Sequence, residues 1–158
     1  MYMVFSVGKQ YYAIESDFLK KIMIPVDVTK IPTKYEYVMG SVIIEDALFT
    51  VLDMRILLRT KDMPELEGTG LFMAAENENT HIVLYVDAVI GLYENVQEKD
   101  LPLNKNPFLD NIILFDTDEK AALVVNIPNL IECVSNPEEY EIMGQILQPE
   151  TVSVEVVE

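Results

Sequence analysis

Hydrophobic positions fall in short runs that are separated by polar or turn-forming residues. Residues 2–7 and 10–15 are rich in aromatic and β-branched side chains and are separated by Gly8-Lys9, which is typical of a β-hairpin. No long helical pattern joins one run to the next, and this favours an antiparallel all-β fold over an α/β fold. Further strands are predicted at 26–31, 37–44, 47–52, 70–75, 81–96 (with a bend at Gly91), 111–116 and 120–126, with a loop at 99–110.

The predicted helices are few and short. Asp53 can cap residues 54–58, because a carboxylate at the N-cap accepts a hydrogen bond from the first helical turn. Ser16 can cap one or two helical turns within 16–23 in the same way. Two more helices are predicted, at 127–132 with Asn126 as cap and at 137–147 near the C-terminus.

Two stretches of the chain, 42–58 and 113–131, share one order of elements. Each has an apolar strand, an acidic turn, a second strand, an Asp or Asn cap and a short apolar helix. Two copies of this unit predict two related small β-barrels within one domain over 1–147. The polar segment 59–69 is the predicted break between them, although the chain is free to cross between barrels. The tail, 148–158, alternates weakly and is either an edge strand or disordered.

The acidic turn of the first copy, Glu45-Asp46, lies between two strongly apolar strands. Tight strand-to-strand turns favour Gly or Asn, because these residues reach positive φ at low cost. Two adjacent carboxylates therefore raise the question of what keeps them in this turn.

Composition restricts the classes of partner. The chain has 158 residues, of which 50% are hydrophobic, and a net charge of −16. Such an acidic chain repels nucleic acid and anionic lipid, so neither is an expected partner. One cysteine, Cys133, excludes a disulfide framework within the chain and suits a reducing cytoplasm. No signal peptide is expected, and no apolar run approaches the roughly 20 residues that span a bilayer, so membrane insertion is not expected.

Residues that could perform chemistry are scarce. His81 is the only histidine and opens an apolar strand, so a pairing or packing role is favoured over acid–base catalysis. A lone His and a lone Cys give zinc no usable ligand set, and a small free cysteine such as Cys133 is usually buried and inert. Residues 68–70 lack the pattern of a dinucleotide site, and 116–119 lack the glycine and distal Glu of a calcium loop. We predict no catalytic, cofactor or metal site, and therefore a binding function.

The order of these segments resembles the CheW-like family of chemotaxis coupling proteins. The resemblance runs from about Met3 to Ile131 and is carried by the order and spacing of its pieces. These are VFSVGKQYYAI (Val4 to Ile14), LKKI (Leu19 to Ile22), VTKIP (Val28 to Pro32), Gly40, the Asp-x-Arg of Asp53-Met54-Arg55, IVLYVDAVIGLYENV (82–96) and NIILFDTDEKAALVVNIPNLI (111–131).

The resemblance implies two five-stranded β-barrels of SH3-like type, with short helices and a C-terminal helix. It also implies a cytoplasmic adaptor that is not an enzyme and that joins the cytoplasmic tip of a chemoreceptor to the regulatory domain of the histidine kinase CheA. That kinase domain has the same fold, so pseudo-symmetric pairing is expected. By the same resemblance, the receptor-contact residues are Leu19, Lys21, Ile22, Gly40 and Glu45, whereas Asp53 and Arg55 are expected to be structural.

This chain departs from the family pattern at the acidic turn. The family usually has Asn-Leu-Arg-Gly there, so Glu45 replaces the Arg and Asp46 replaces the Gly. Lys21 stands where many members carry Glu, so two charges have changed sign. We predict that Lys21 and Glu45 face each other across neighbouring strands, where opposite charges stabilise a sheet by roughly 0.2–1 kcal/mol. The alternative is that they are two unrelated, solvated side chains.

Three other functions stay open. One is a divergent CheW-like module that binds a different partner, and another is a β-barrel peptide-binding protein outside chemotaxis. An uncatalogued enzyme is the third, although the sequence suggests no substrate for it.

Overall fold

The computed structural model describes residues 1–58, 70–102, 104 and 106–140. Over these ranges the secondary structure is mainly strand, with two short α-helices and two 3-10 turns, Ser16–Phe18 and Pro137–Tyr140. The helices are α1 (Met54–Leu57) and α2 (Ile127–Ser135). The strands are β1 (Tyr2–Val7), β2 (Gln10–Glu15), β3 (Leu19–Met23), β4 (Val38–Ile44), β5 (Ala47–Asp53), β6 (Leu71–Asn77), β7 (Thr80–Val86), β8 (Ala88–Tyr93), β9 (Gln97–Asp100), β10 (Leu109–Phe115) and β11 (Lys120–Val125).

The strands form two sheets, and the all-β prediction is confirmed. One sheet has six strands in the order β8-β1-β2-β11-β10-β9, and the other has five in the order β3-β6-β7-β5-β4. The six-stranded sheet exceeds the predicted five strands because the N-terminal end of the predicted loop 99–110 belongs to β9, which pairs with β10. The closure of each sheet into an SH3-like barrel stays a prediction.

The chain changes sheet twice, after β2 and again after β7. The predicted break at 59–69 lies outside the described residues. The strands that flank it, β5 and β6, both belong to the five-stranded sheet, so the chain does not change sheet there. The predicted repeat appears as β4-β5-α1 in one sheet and β10-β11-α2 in the other. In both copies the second strand pairs in parallel with a strand distant in sequence, β5 with β7 and β11 with β2.

Two local predictions differ from the structure, and a third lies mostly outside the described residues. The helix predicted over 16–23 is a single 3-10 turn followed by β3, because pairing with β6 and packing of Leu19 on the core outweigh the helical pattern. Ser16 is no cap there. The strand predicted over 26–31 is reduced to one bridge between Thr29 and Ser41, since Val26 and Ile31 stay 48% and 42% exposed and supply little packing to hold a longer ladder. Of the helix predicted over 137–147, only a 3-10 turn at its start lies within the described residues, and the tail 148–158 lies outside them.

The largest apolar core lies between the two sheets. It combines β1 and β2 with β5, β6 and β7, and both α-helices cover it. Each sheet also has a smaller core on its other face, so its central strands are buried on both sides and read as nearly continuous apolar runs. Side chains that show this are Leu84 in the shared core, Val83 and Phe49 in the core of the five-stranded sheet, and Val4 and Ile113 in the core of the six-stranded sheet.

Candidate functional site

Asp53 ends β5 and caps α1. Its backbone is extended (φ −83°, ψ 103°), and its carboxylate accepts a hydrogen bond from the Arg55 N–H at 3.0 Å. Burial raises the pKa of Asp53, while the hydrogen bonds from the N–H groups of Arg55 and Ile56 act in the opposite direction. Asn126 caps α2 with nearly the same backbone angles (φ −83°, ψ 98°), so the two copies of the repeat begin their helices alike.

Replacing Asp53 by alanine should lower the free energy of unfolding by about 1 kcal/mol, because the first turn of α1 loses its acceptor. Asp53→Asn keeps an acceptor and is the matched control. Urea unfolding followed by far-UV circular dichroism measures both. An Asp53→Ala midpoint equal to that of the unchanged protein would show that the cap contributes nothing.

Arg55 and Asp87 connect the two sheets. Nη1 of Arg55 lies 3.0 Å from both carboxylate oxygens of Asp87, and Oδ2 of Asp87 also accepts the Gly8 N–H at 2.9 Å. The Asp87 N–H donates to the Ser6 carbonyl at 3.0 Å. The two side chains are only 14% and 19% exposed. Asp87 lies between β7 of the five-stranded sheet and β8 of the six-stranded sheet. Through Asp87, Arg55 on α1 is therefore linked to Gly8 in the β1–β2 turn of the six-stranded sheet.

The predicted receptor-contact residues lie at the two outer strands of the five-stranded sheet. Leu19, Lys21 and Ile22 are on β3; Leu19 packs against the shared core, Lys21 is exposed and Ile22 is 37% exposed. Gly40 is buried in β4, and Glu45 is exposed in the β4–β5 turn. Strands β6, β7 and β5 lie between β3 and β4 in the sheet order.

The predicted pairing of Lys21 with Glu45 is therefore wrong. The two residues do not lie opposite each other on neighbouring strands, and no ion pair joins them. Lys20 makes a contact that the sequence did not indicate: its ammonium lies 3.6 Å from Glu76 on β6.

The β4–β5 hairpin exposes two large apolar side chains. Ile43 and Leu48 are directly paired across the strands and are 73% and 64% exposed. The turn between them has φ 48° at Glu45 and φ 68° at Asp46, and both side chains are exposed. We call Ile43, Glu45, Asp46 and Leu48 the hairpin patch. The sequence missed Ile43 and Leu48 because they sit in apolar runs, where residue type does not distinguish them from their buried neighbours.

The groups with potential chemistry make packing contacts and close polar contacts. His81 places Nδ1 2.7 Å from a Glu76 oxygen, and its ring packs on Phe49 with centroids 4.8 Å apart. Cys133 is buried, and its sulfur lies 3.4 Å from the Tyr37 hydroxyl. Burial raises the pKa of the Cys133 thiol, which is opposite to the change that activates a nucleophile. Within the described ranges, no group of three His, Cys, Asp or Glu side chains is placed to hold a metal ion.

Comparison with known proteins gives the family. The model of the CheW-like domain matches residues 1–134. The chain belongs to the CheW-like domain family. Among solved structures, it is similar to the scaffolding protein TtCheW from Thermoanaerobacter tengcongensis, with a TM-score of 0.67 and 21% sequence identity. That match covers 80% of this chain and 88% of the TtCheW chain, and it shows a shared fold.

A search of curated proteins found no match. Membership in the CheW-like family agrees with the two-sheet architecture and with the order of motifs. In the part of the chain that the structure describes, no helix is both long enough and apolar enough to span a membrane.

Proposed function

We propose that this protein is a non-enzymatic adaptor in the cytoplasm that couples a chemoreceptor to a CheA-type histidine kinase. The match of the CheW-like domain model to residues 1–134 carries this proposal. The two-sheet fold and the similarity to a protein described as a scaffold support it. The burial of Cys133 and the packing of His81 on Phe49 fit a protein that binds and does not catalyse.

The receptor side of the proposed adaptor uses β3 and the β4–β5 hairpin. Lys21, Ile22 and Glu45 are exposed and available for direct contact. Leu19 and Gly40 support that surface from beneath, since Leu19 packs on the shared core and Gly40 is buried. The regulatory domain of the kinase, which has the same fold by resemblance, pairs with the adaptor pseudo-symmetrically.

Reconstitution tests the proposal. The purified chain is mixed with the kinase and with a cytoplasmic receptor fragment from the same organism, and complexes are detected by size-exclusion chromatography with light scattering. We expect binary complexes with each partner and a rise in kinase autophosphorylation only when all three are present. Failure to bind the kinase regulatory domain would refute the coupling function.

A second candidate is a CheW-like module that binds the kinase and some protein other than a typical receptor tip. The acidic turn favours it, because Glu45 and Asp46 present negative charge where the family usually has Arg-Gly. Kinase binding without receptor binding in the same reconstitution would select this candidate.

A further inference from the structure

We infer that the hairpin patch is a docking site for a protein surface in which an apolar pocket is rimmed by Lys or Arg. The inference rests on the proposed adaptor function and goes further, because it specifies the chemistry of the partner.

Apolar exposure at the patch is the first observation. Ile43 and Leu48 are the only strand residues within the described ranges that leave more than 60% of a large apolar side chain in water. They form one cross-strand pair and therefore one continuous surface. The next pair along the same face, Ser41 and Thr50, is half-buried, so the patch adjoins the covered part of the sheet. Apolar side chains of this kind act as interface anchors when a partner removes them from water.

Charge at the patch identifies the occupant. Glu45 and Asp46 form the turn between the strands that carry Ile43 and Leu48, and both acidic residues are exposed. Among the described residues neither carboxylate forms an ion pair. In a chain of net charge −16, a partner with acidic groups at its rim would be repelled, whereas Lys or Arg at the rim would be attracted. The occupant is therefore a basic-rimmed protein surface and not a second copy of this chain.

The turn offers a way to separate binding from folding. Glu45 and Asp46 both adopt positive φ, which Asn and Gly adopt at lower cost. The double variant Glu45→Asn/Asp46→Gly should therefore raise the thermal midpoint while it removes both carboxylates. If the patch docks a basic rim, this more stable protein should bind its partner about tenfold more weakly or worse.

A matched control exists in the other copy of the repeat. The β10–β11 turn also holds two carboxylates at positive φ, Asp116 (56°) and Asp118 (62°). Asp116→Asn/Asp118→Gly removes the same charge and also relieves strain at two positive-φ positions. It additionally breaks the exposed ion pair between Asp116 and Lys120, which contributes little to stability. It should leave partner affinity unchanged. Equal losses of affinity in the two double variants would show that only net charge matters, and would overturn the inference.

The apolar pair is tested separately. Ile43→Thr/Leu48→Thr keeps residues that favour strands and should weaken binding about tenfold or more. The control is Ile90→Thr/Leu92→Thr on β8, where the two side chains are 41% and 50% exposed.

Affinities of the kinase regulatory domain and of the receptor fragment are measured by calorimetry at low and at high NaCl. For the partner that uses the patch, raising NaCl should weaken binding of the unchanged protein more than that of Glu45→Asn/Asp46→Gly.

Failure of the proposed function is distinguishable from failure of this inference. If the unchanged protein binds neither partner, the adaptor proposal fails, and the patch is probed with an amphipathic peptide of Leu and Lys. That peptide should shift the backbone amide NMR signals of residues 43–48, and a Leu/Glu peptide of the same length should not. Absence of these shifts, or equal shifts in Ile43→Thr/Leu48→Thr, would overturn the inference.

Discussion

Replacing Arg55 by alanine should lower the free energy of unfolding by about 3–5 kcal/mol, because it leaves the Asp87 carboxylate without its cation in a mostly buried place. The guanidinium lies 3.0 Å from both oxygens of Asp87, and the two side chains are 14% and 19% exposed. After the substitution, the Gly8 N–H still donates to that carboxylate but supplies no full positive charge. Small domains are stable by only about 5–15 kcal/mol, so the loss should be evident in any denaturant titration.

Two controls identify the cause of this loss. The double variant Arg55→Ala/Asp87→Ala also removes the unpaired Asp87 carboxylate. Its loss in free energy of unfolding should therefore be clearly smaller than the sum of the losses for the two single substitutions. Lys120→Ala breaks an exposed pair with Asp116 and should leave the midpoint unchanged. A loss for Arg55→Ala comparable to that for Lys120→Ala would mean that the ion pair does not hold the sheets together.

The parts of the fold that local pattern controls could be predicted from the sequence. The repeat predicted two hairpins, each followed by a capped helix, because turn residues, caps and apolar alternation all act within about twenty residues of each other. Asp53 and Asn126 were identified as caps from their types and positions alone. Both carry out that role in the structure.

Features that depend on distant contacts could not be predicted. The segment 19–23 has a sequence that suits a helix or a strand, and pairing with β6 decides between them. The partner of Arg55 is Asp87, which is far along the chain, so no local spacing reveals it. The sequence left crossing between the barrels open but did not indicate where the two crossings occur, since strands β1 and β2 join β8 to β11 only through long-range pairing.

The candidate site was predicted in part. The acidic turn drew attention because its residue types suit positive φ poorly, and both residues do adopt positive φ. The apolar pair that flanks the turn was hidden within runs that read as core, because both faces of these strands are apolar along most of their length. Sequence alternation could indicate which face a residue occupies, but not whether another element covers that face.

Replacing Gly40 by alanine should also have a large effect and lower the free energy of unfolding by about 3 kcal/mol. Gly40 has φ +145°, a conformation that side chains rarely adopt and that costs of order 1–3 kcal/mol. A Cβ at this position would also lie 2.2 Å from the Thr29 carbonyl oxygen, which is a backbone atom that cannot rotate away. Relief of that clash requires the Thr29 segment to separate from β4. The two hydrogen bonds between Thr29 and Ser41, at 2.9 Å each, would then break at about 1 kcal/mol each.

This prediction also bears on the function of Gly40. The resemblance places Gly40 among receptor-contact residues, whereas its burial beneath Thr29 indicates that it acts by letting the backbone of the Thr29 segment approach β4. Hydrogen exchange should show faster exchange of the Thr29 and Ser41 amides in Gly40→Ala, together with the lower unfolding midpoint. Gly91→Ala is the control, because its added Cβ would lie no closer than 3.6 Å to the Tyr93 ring. If Gly40→Ala weakened receptor binding while the Thr29 and Ser41 amides stayed protected, Gly40 would be a direct contact and the backbone explanation would fail.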